Sequence, residues 1–225
     1  MTRYMPRSKL KSVKIQITGL KTQFPFTSWS WNLLGVSFGL NAYIAFLAAT
    51  QNHISPWLLR TALLTFETAV PCALLVSSVV RYVIWPNVLK QGGSAEGLKH
   101  PRALLMHNAN VILALTELSL LGGPPIYFSH ASMAPLFGIT YVIFTWCTTK
   151  WWAPDVHGPQ FFYFFLDTTL GTTTSLALLV LLAVLMIFYA LVSFARTVLA
   201  SLGGGVLVHL LFVALLSAGV CRVND

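Results

Sequence analysis

The sequence predicts an all-α fold, a polytopic transmembrane bundle of about six helices. Of its 225 residues, 56% are hydrophobic and only 9% are charged, whereas soluble domains carry roughly 25% charged residues. Six apolar segments follow one another, and about 20 apolar residues are enough for a helix to cross the hydrocarbon core of a bilayer. No polar block is long enough to fold separately. We therefore expect one transmembrane helical domain over residues 28–225, preceded by a basic N-terminal arm over residues 1–27.

The six spans are placed by their apolar runs and by the turn residues between them. They cover residues 29–50, 58–84, 103–122, 132–152, 172–195 and 204–221. Pro71 removes a backbone donor from the second span and predicts a kink or a small gap there. Asp167 and the threonines that follow it predict a capped first turn for the fifth span. The sixth span is the shortest and follows three glycines, so a tilted, re-entrant or interfacial segment is an alternative there.

Charge predicts the orientation of these spans. Lys and Arg favour the inner side of a membrane, and six spans return the C-terminus to the side of the N-terminus. The outer side would then keep only Arg60 and Arg196. The inner side would hold the basic arm together with Arg81, Lys90, Lys99, Arg102, Lys150 and Arg222.

The basic arm also predicts partners and location. The net charge is +8, and six Lys and Arg residues lie before residue 22, with no acid before Glu67. Anionic lipid head groups explain such an arm beside a hydrophobic span better than nucleic acid does, so we expect membrane lipids and no nucleic acid as partners. An acid-free basic start also resembles a mitochondrial targeting sequence. We expect the mitochondrial inner membrane or an endomembrane, with the N-terminus on the matrix or cytoplasmic side.

A polar stripe runs along the third predicted span. His107, Asn110 and Glu117 fall on one helix face, with about 15 Å between the first and the last. In one interpretation they line a cavity in which His107 is a general base and Asn110 or Glu117 orients a ligand. In the other they form hydrogen bonds between helices.

Three further polar residues are candidates for the same cavity. Glu67 is a second acid within an apolar span, where we expect a neutral carboxyl group and an indirect pairing with Arg60, seven residues earlier. His157 and Asp167 lie between the fourth and fifth spans, on the predicted side of His107, where they roof the cavity or are solvated.

Motifs for several other chemistries are missing from the sequence. It contains no Walker A loop, no GxSxG elbow and no HExxH motif. The three cysteines lie in or beside apolar segments, where free thiols behave as small hydrophobes. His107 and His209 alone are weak evidence for haem ligation. We therefore expect neither a cofactor nor a metal.

Three short motifs carry a family resemblance. Met106 and His107 are followed ten residues later by Glu117, residues 156–167 read VHGPQFFYFFLD, and residues 26–35 read FTSWSWNLLG. On these motifs, over roughly residues 25–195, the chain resembles the androgen-induced protein family. The best-known members of that family are polytopic membrane proteins that hydrolyse fatty acid esters of hydroxy fatty acids with a threonine nucleophile and a histidine. The resemblance implies that His107 is the catalytic histidine.

The resemblance also implies a nucleophile a few residues beyond the tryptophan of the first span. Alignment on either tryptophan of that motif places Leu33 or Gly35 there, and neither residue is a nucleophile. Thr65 lies in the second span, which matches the next helix of the family. A displaced hydroxyl could replace the threonine, and we select Ser30 from the candidates Ser28, Ser30 and Ser37.

Three functions follow from these observations. The favoured interpretation is a non-catalytic multi-pass protein on this hydrolase-like scaffold, because a hydrolase cannot omit its nucleophile. It would bind lipid or serve as an accessory or assembly subunit beside other membrane proteins of an organellar complex. The alternative is an intramembrane hydrolase of fatty acid esters that uses His107 and a displaced serine or threonine. The third is a small proton-coupled transporter with Glu67 and Glu117 as proton sites, although no inverted repeat supports it.

Overall fold

The computed structural model describes residues 8–10, 18–90, 96–151, 159–202 and 205–222. These residues form helices and turns and contain no strand, so the all-α prediction is confirmed for them. The six main helices are α1 (Phe26–Ala49), α2 (Pro56–Lys90), α3 (consecutive pieces Pro101–Leu104, Leu105–Ala109 and Asn110–Ser119), α4 (Met133–Cys147), α5 (Thr172–Leu202) and α6 (Val206–Val220). Shorter helical pieces cover Gly19–Gln23, Glu96–Lys99, Phe128–His130, Thr149–Trp151, Phe164–Leu166 and Thr168–Leu170.

Three of the main helices are long and apolar enough to cross a membrane. They are α1, α2 and α5, with 24, 35 and 31 residues. Helices α4 and α6 have 15 residues each, which gives about 22 Å at 1.5 Å per residue, against a hydrocarbon core of about 30 Å. Each predicted span overlaps one main helix, but the described residues provide three candidate membrane spans, and the count of six stays a prediction.

Helix α2 is the centre of the bundle. In its most apolar stretch 78% of the residues are buried, compared with 11% in α1 and 17% in α5. It packs against α1, α3, α4 and α5, and its fully buried side chains include Phe66, Val70 and Leu74. Polar groups on α2 are therefore shielded from solvent and from lipid, and they need partners inside the bundle.

The irregular point of α2 lies beyond its proline. The helix continues through the buried Pro71, where the sequence predicts a kink or a gap. A π-helical turn follows further along, at Val80–Ile84. A second π-turn, Leu105–Ala109, lies in α3. Such turns widen a helix locally and occur frequently at functional sites.

Helix α1 begins earlier than predicted. Its first residue is Phe26, so Phe26 and Thr27 belong to the helix and not to the arm predicted over residues 1–27. Ser8, in the described part of the arm, donates a hydrogen bond to the Asp167 carboxylate. The Lys9 N–H donates to Thr169 Oγ1 at 3.2 Å. These two bonds tie the arm to the segment that precedes α5.

Three cations that are predicted on one side of the membrane lie at one end of the bundle, around Trp85. The Arg222 guanidinium is 3.6 Å from the centre of the Trp85 ring, and the Lys99 ammonium is 5.7 Å from it. Arg81 donates hydrogen bonds to carbonyl groups at the end of α6, including that of Cys221 at 2.7 Å. We call this region the cationic end.

Candidate active site

The site is formed where α1 and α3 meet. His107 lies in the π-turn of α3, and its Nε2 atom is 3.5 Å from Oγ1 of Thr27. Thr27 is the second residue of α1 and is 9% exposed. A buried hydroxyl beside an imidazole nitrogen is the arrangement of an activated nucleophile and its base.

The central helix fixes the position of His107. The Ser77 hydroxyl, on α2, donates a hydrogen bond to the His107 backbone carbonyl, and it also lies 3.4 Å from Oδ1 of Asn110. A π-turn bonds residues i and i+5 in place of i and i+4, and here the Ser77 hydroxyl supplies the His107 carbonyl with a partner on α2. This bond ties to α2 the turn that presents the imidazole to α1.

An apolar cavity of about 260 Å³ adjoins Thr27. Its walls are residues of α1, α2, α4, α5 and the segment before α5, including Leu75, Gly138, Val142 and Leu182. Its size lies near the lower limit of ligand pockets, which hold roughly 300–1,000 Å³. Thr27 lines this cavity, whereas His107 is not among the lining residues and contacts Thr27 from α3. The cavity therefore offers an apolar chain a binding site with a hydroxyl in its wall.

Tyr163 is a second polar residue of the cavity wall. Its hydroxyl faces the Thr27 side chain and the backbone N–H groups of Phe26 and Thr27. The neighbouring aromatic rings hold it in place, with ring centres 4.9 Å away for Phe162 and 5.1 Å away for Phe165. Burial raises the pKa of Tyr163 above its ordinary value, so the hydroxyl keeps its proton at neutral pH.

Ser30, the nucleophile selected from the sequence, is buried one turn beyond Thr27. Its hydroxyl has no hydrogen-bond partner among the described residues. The hydroxyl within hydrogen-bond distance of the His107 ring is that of Thr27.

The rest of the polar stripe makes separate contacts with neighbouring helices. Oδ1 of Asn110 accepts from the Val111 N–H at 2.7 Å and lies near Ser77 of α2. Glu117 accepts a hydrogen bond from Nδ2 of Asn41, on α1, at 3.2 Å. Neither Asn110 nor Glu117 lines the apolar cavity. The Glu117–Asn41 bond and the approach of Ser77 to Asn110 join two helices, as in the second sequence interpretation, whereas the Asn110–Val111 bond lies within α3.

Glu67 anchors the loop between α3 and α4. Its fully buried carboxylate accepts from the Tyr127 N–H and lies 2.7 Å from Nδ1 of His130. Tyr189 and Ser193, on α5, donate to carbonyl groups of the same loop, Tyr189 to that of Tyr127 at 2.9 Å. The sequence predicts an indirect pairing of Glu67 with Arg60. The structure instead pairs Glu67 with a loop histidine, His130.

Asp167 is also fully buried, and it organises the start of α5. Its carboxylate accepts from the Thr169 N–H at 2.8 Å, and its backbone carbonyl accepts from the Thr174 hydroxyl. The Asp167 side chain thus caps the short helix Thr168–Leu170, one turn before α5, whereas the sequence predicts a cap on the first turn of α5 itself. Asp167 is not among the cavity-lining residues, and His157 lies outside the described residues.

Sequence reasoning missed Thr27 because the first span was placed too late. The signal that could have found it is Pro25, which is the N-cap of α1 and marks a helix start at residue 26. Thr27 then falls in the first turn, three positions before Ser30 and on the same face.

Comparisons with protein-family models, with curated proteins and with solved structures found no match to this chain. The resemblance to the androgen-induced proteins therefore stays a hypothesis. Functional assignment rests on the geometry around Thr27 and His107.

Proposed function

We propose that the protein is an intramembrane hydrolase of fatty acid esters, with Thr27 as the nucleophile and His107 as the general base. The observation that carries this proposal is the distance of 3.5 Å between Thr27 Oγ1 and His107 Nε2, together with the apolar cavity that Thr27 lines. Catalytic hydrogen bonds are often long without substrate and shorten in the complex.

The reaction has two halves. Thr27 Oγ1 attacks the ester carbonyl carbon while His107 Nε2 takes the hydroxyl proton. The carbon–oxygen bond to the alcohol then breaks, and the alcohol leaves with the proton from Nε2. In the second half His107 takes a proton from water, the hydroxide attacks the acyl-threonine ester, and Thr27 recovers its proton as the fatty acid leaves.

The surroundings support a lipid substrate. The cavity wall is almost entirely apolar, which suits an acyl chain, and burial of each methylene contributes about 0.8 kcal/mol to binding. The neighbouring helices α1, α2 and α5 are the three candidate membrane spans, so a lipid could enter from the bilayer.

We further propose that α3, α4 and α6 complete a bundle of six membrane helices. The support is their overlap with the predicted apolar segments and the concentration of cations at the cationic end. By the positive-inside tendency, the cationic end faces the matrix of mitochondria or the cytoplasm, in the mitochondrial inner membrane or an endomembrane.

The second candidate function is lipid binding without chemistry, in an accessory or assembly subunit of a membrane complex. One observation favours it. The other ring nitrogen of His107, Nδ1, has no hydrogen-bond partner among the described residues, whereas a catalytic base is usually oriented by a third group. In that case the contact between Thr27 and His107 is an interhelical hydrogen bond worth about 0.6 kcal/mol.

Hydrolysis of 4-nitrophenyl decanoate by the detergent-solubilised full chain tests the proposal. We expect Thr27→Val and His107→Ala to lower kcat by at least about 100-fold, the usual range for loss of acid–base catalysis. Thr65→Val is the matched control, because the Thr65 hydroxyl bonds the Thr61 carbonyl within α2 and does not approach His107.

Two outcomes would overturn the assignment. Activity that survives Thr27→Val but is lost in Ser30→Ala would make Ser30 the nucleophile. In the second outcome, the unaltered protein binds fatty acids of several chain lengths tightly but turns over none of the corresponding esters. That result would favour the lipid-binding function.

A further inference from the structure

We propose that Tyr163 is the oxyanion donor of this site, with its hydroxyl donating a hydrogen bond to the ester carbonyl oxygen while Thr27 attacks. This inference rests on the proposed function and gives a role to Tyr163, which lies in the motif of residues 156–167 and to which the sequence alone assigns none.

The position of the hydroxyl is the first argument. Tyr163 and Thr27 line the same cavity, and the Tyr163 hydroxyl faces both the Thr27 side chain and the Thr27 N–H. In the attacked ester the carbonyl oxygen is two bonds from Oγ1. It must therefore lie among the groups that already surround Oγ1, and the Tyr163 hydroxyl is one of them.

The second argument is the hydrogen bonding of the Tyr163 oxygen itself. The N–H groups of Phe26 and Thr27, at the start of α1, are hydrogen-bond partners of that oxygen. Because they donate to it, the phenol proton is left to be donated to another group, in a mostly apolar cavity where a donor stabilises negative charge more strongly than it would in water. Tyr141 also lines the cavity, but Tyr163 is the tyrosine whose hydrogen-bond partners include Thr27.

The third argument is rigidity. Tyr163 is stacked on Phe165, with an angle of 6° between the two ring planes, and meets Phe162 edge-on at 74°. It also packs against a cluster that contains Phe26, Trp29 and Tyr141. An oxyanion donor must be held in place before the reaction, because reorganisation during the step would cancel its benefit.

The role of Tyr163 involves no change of covalent bonds. Its proton stays on the phenol oxygen, and the negative charge develops on the carbonyl oxygen as Thr27 Oγ1 bonds to carbon. When the carbonyl re-forms, the hydrogen bond weakens again. The pKa of Tyr163, raised by burial, is compatible with this role because a donor must remain protonated.

The test compares Tyr163→Phe, Tyr189→Phe and Thr27→Val in the decanoate assay. Tyr189 is a matched control, since it is a fully buried tyrosine whose hydroxyl bonds the Tyr127 carbonyl and which does not line the cavity. We expect Tyr163→Phe to lower kcat by about 100-fold, as loss of one oxyanion donor does, with KM unchanged. Tyr189→Phe should keep kcat near that of the unaltered protein.

Failure of this inference can be distinguished from failure of the proposed function. If Thr27→Val is inactive while Tyr163→Phe keeps its kcat, Tyr163 is not the donor and the nucleophile stands. If Thr27→Val stays active, no oxyanion forms beside Thr27 and both proposals are wrong. A rise in KM at constant kcat would make Tyr163 only part of the binding wall.

A second measurement tests the inference if the Tyr163→Phe variant fails to fold. Replacement of Tyr163 by 3-fluorotyrosine keeps its shape and makes the phenol more acidic. The alkaline limb of the pH–rate profile should then move to lower pH, because the donor loses its proton earlier. An unchanged alkaline limb in the folded, active protein would overturn the inference.

Discussion

Removal of the Glu67 carboxylate should destabilise the protein far more than removal of the Glu117 carboxylate, although both acids lie in apolar helices. The Glu67 side chain is fully buried and has two partners, the Tyr127 N–H and the His130 ring. Glu117 is half-buried and has one described hydrogen bond, to Asn41 at 3.2 Å. The difference in burial and in the number of partners sets the expected difference in the free energy of unfolding.

The magnitude follows from the groups that each substitution leaves behind. Breaking a buried pair by removing one partner costs about 3–5 kcal/mol. The His130 side chain is 35% exposed, so water can solvate it, and we expect Glu67→Ala to cost about 3 kcal/mol, at the lower end of that range. Glu67→Gln keeps an acceptor for the Tyr127 N–H and should cost about 1–2 kcal/mol. Glu117→Gln should cost less than about 1 kcal/mol.

Titration with SDS in mixed micelles, followed by tryptophan fluorescence, gives the unfolding free energies. Hydrogen exchange of residues 121–131 provides a local readout, because Glu67 holds this loop against α2. We expect faster exchange there in Glu67→Ala and no change in Glu117→Gln. Equal destabilisation by Glu67→Ala and Glu117→Gln, or an unchanged loop in Glu67→Ala, would refute the reasoning.

Two further predictions concern the site. Ser77→Ala should cost about 1–3 kcal/mol of stability by leaving the His107 carbonyl without its partner, and it should also lower ester turnover. Ser78→Ala is its control in the same assays, because the Ser78 hydroxyl has no partner among the described residues, and equal effects would contradict the role of Ser77. Gly138 lines the cavity, and an added Cβ would lie 3.5 Å from the Leu182 side chain, at ordinary contact distance. Gly138→Ala should therefore be tolerated. Gly138→Leu should fill the cavity, and in a series of esters of different chain length the preferred substrate should become shorter. An unchanged preference would place the acyl chain elsewhere.

The helices were predictable because their signals are local. Apolar runs and turn residues placed all six main helices, and the chain turns after α3 at two glycines. Gly122 has φ 69°, and the Gly123 N–H bonds the Glu117 carbonyl at 2.9 Å. The number of membrane spans was less accessible, because α4 and α6 have 15 residues each and are shorter than the apolar runs that contain them.

The contacts of the site were not predictable, because they join distant parts of the chain. Thr27 and His107 are 80 positions apart, and Glu67 and His130 are 63 positions apart. The His107 carbonyl, in the π-turn of α3, accepts a hydrogen bond from Ser77, which belongs to another helix. His107 itself was found from sequence because an ionisable residue in an apolar helix requires a partner or a function.

The most direct test of the central claim is labelling with a fluorophosphonate hydrolase probe, followed by mapping of the modified residue by mass spectrometry. The detergent-solubilised full chain is compared with its Thr27→Val and His107→Ala variants. We predict that the probe modifies Thr27 and that His107→Ala abolishes the labelling, because the probe reacts with a hydroxyl activated by the histidine. Labelling at Ser30 or another hydroxyl, or no labelling where an active hydrolase is labelled in parallel, would contradict the claim.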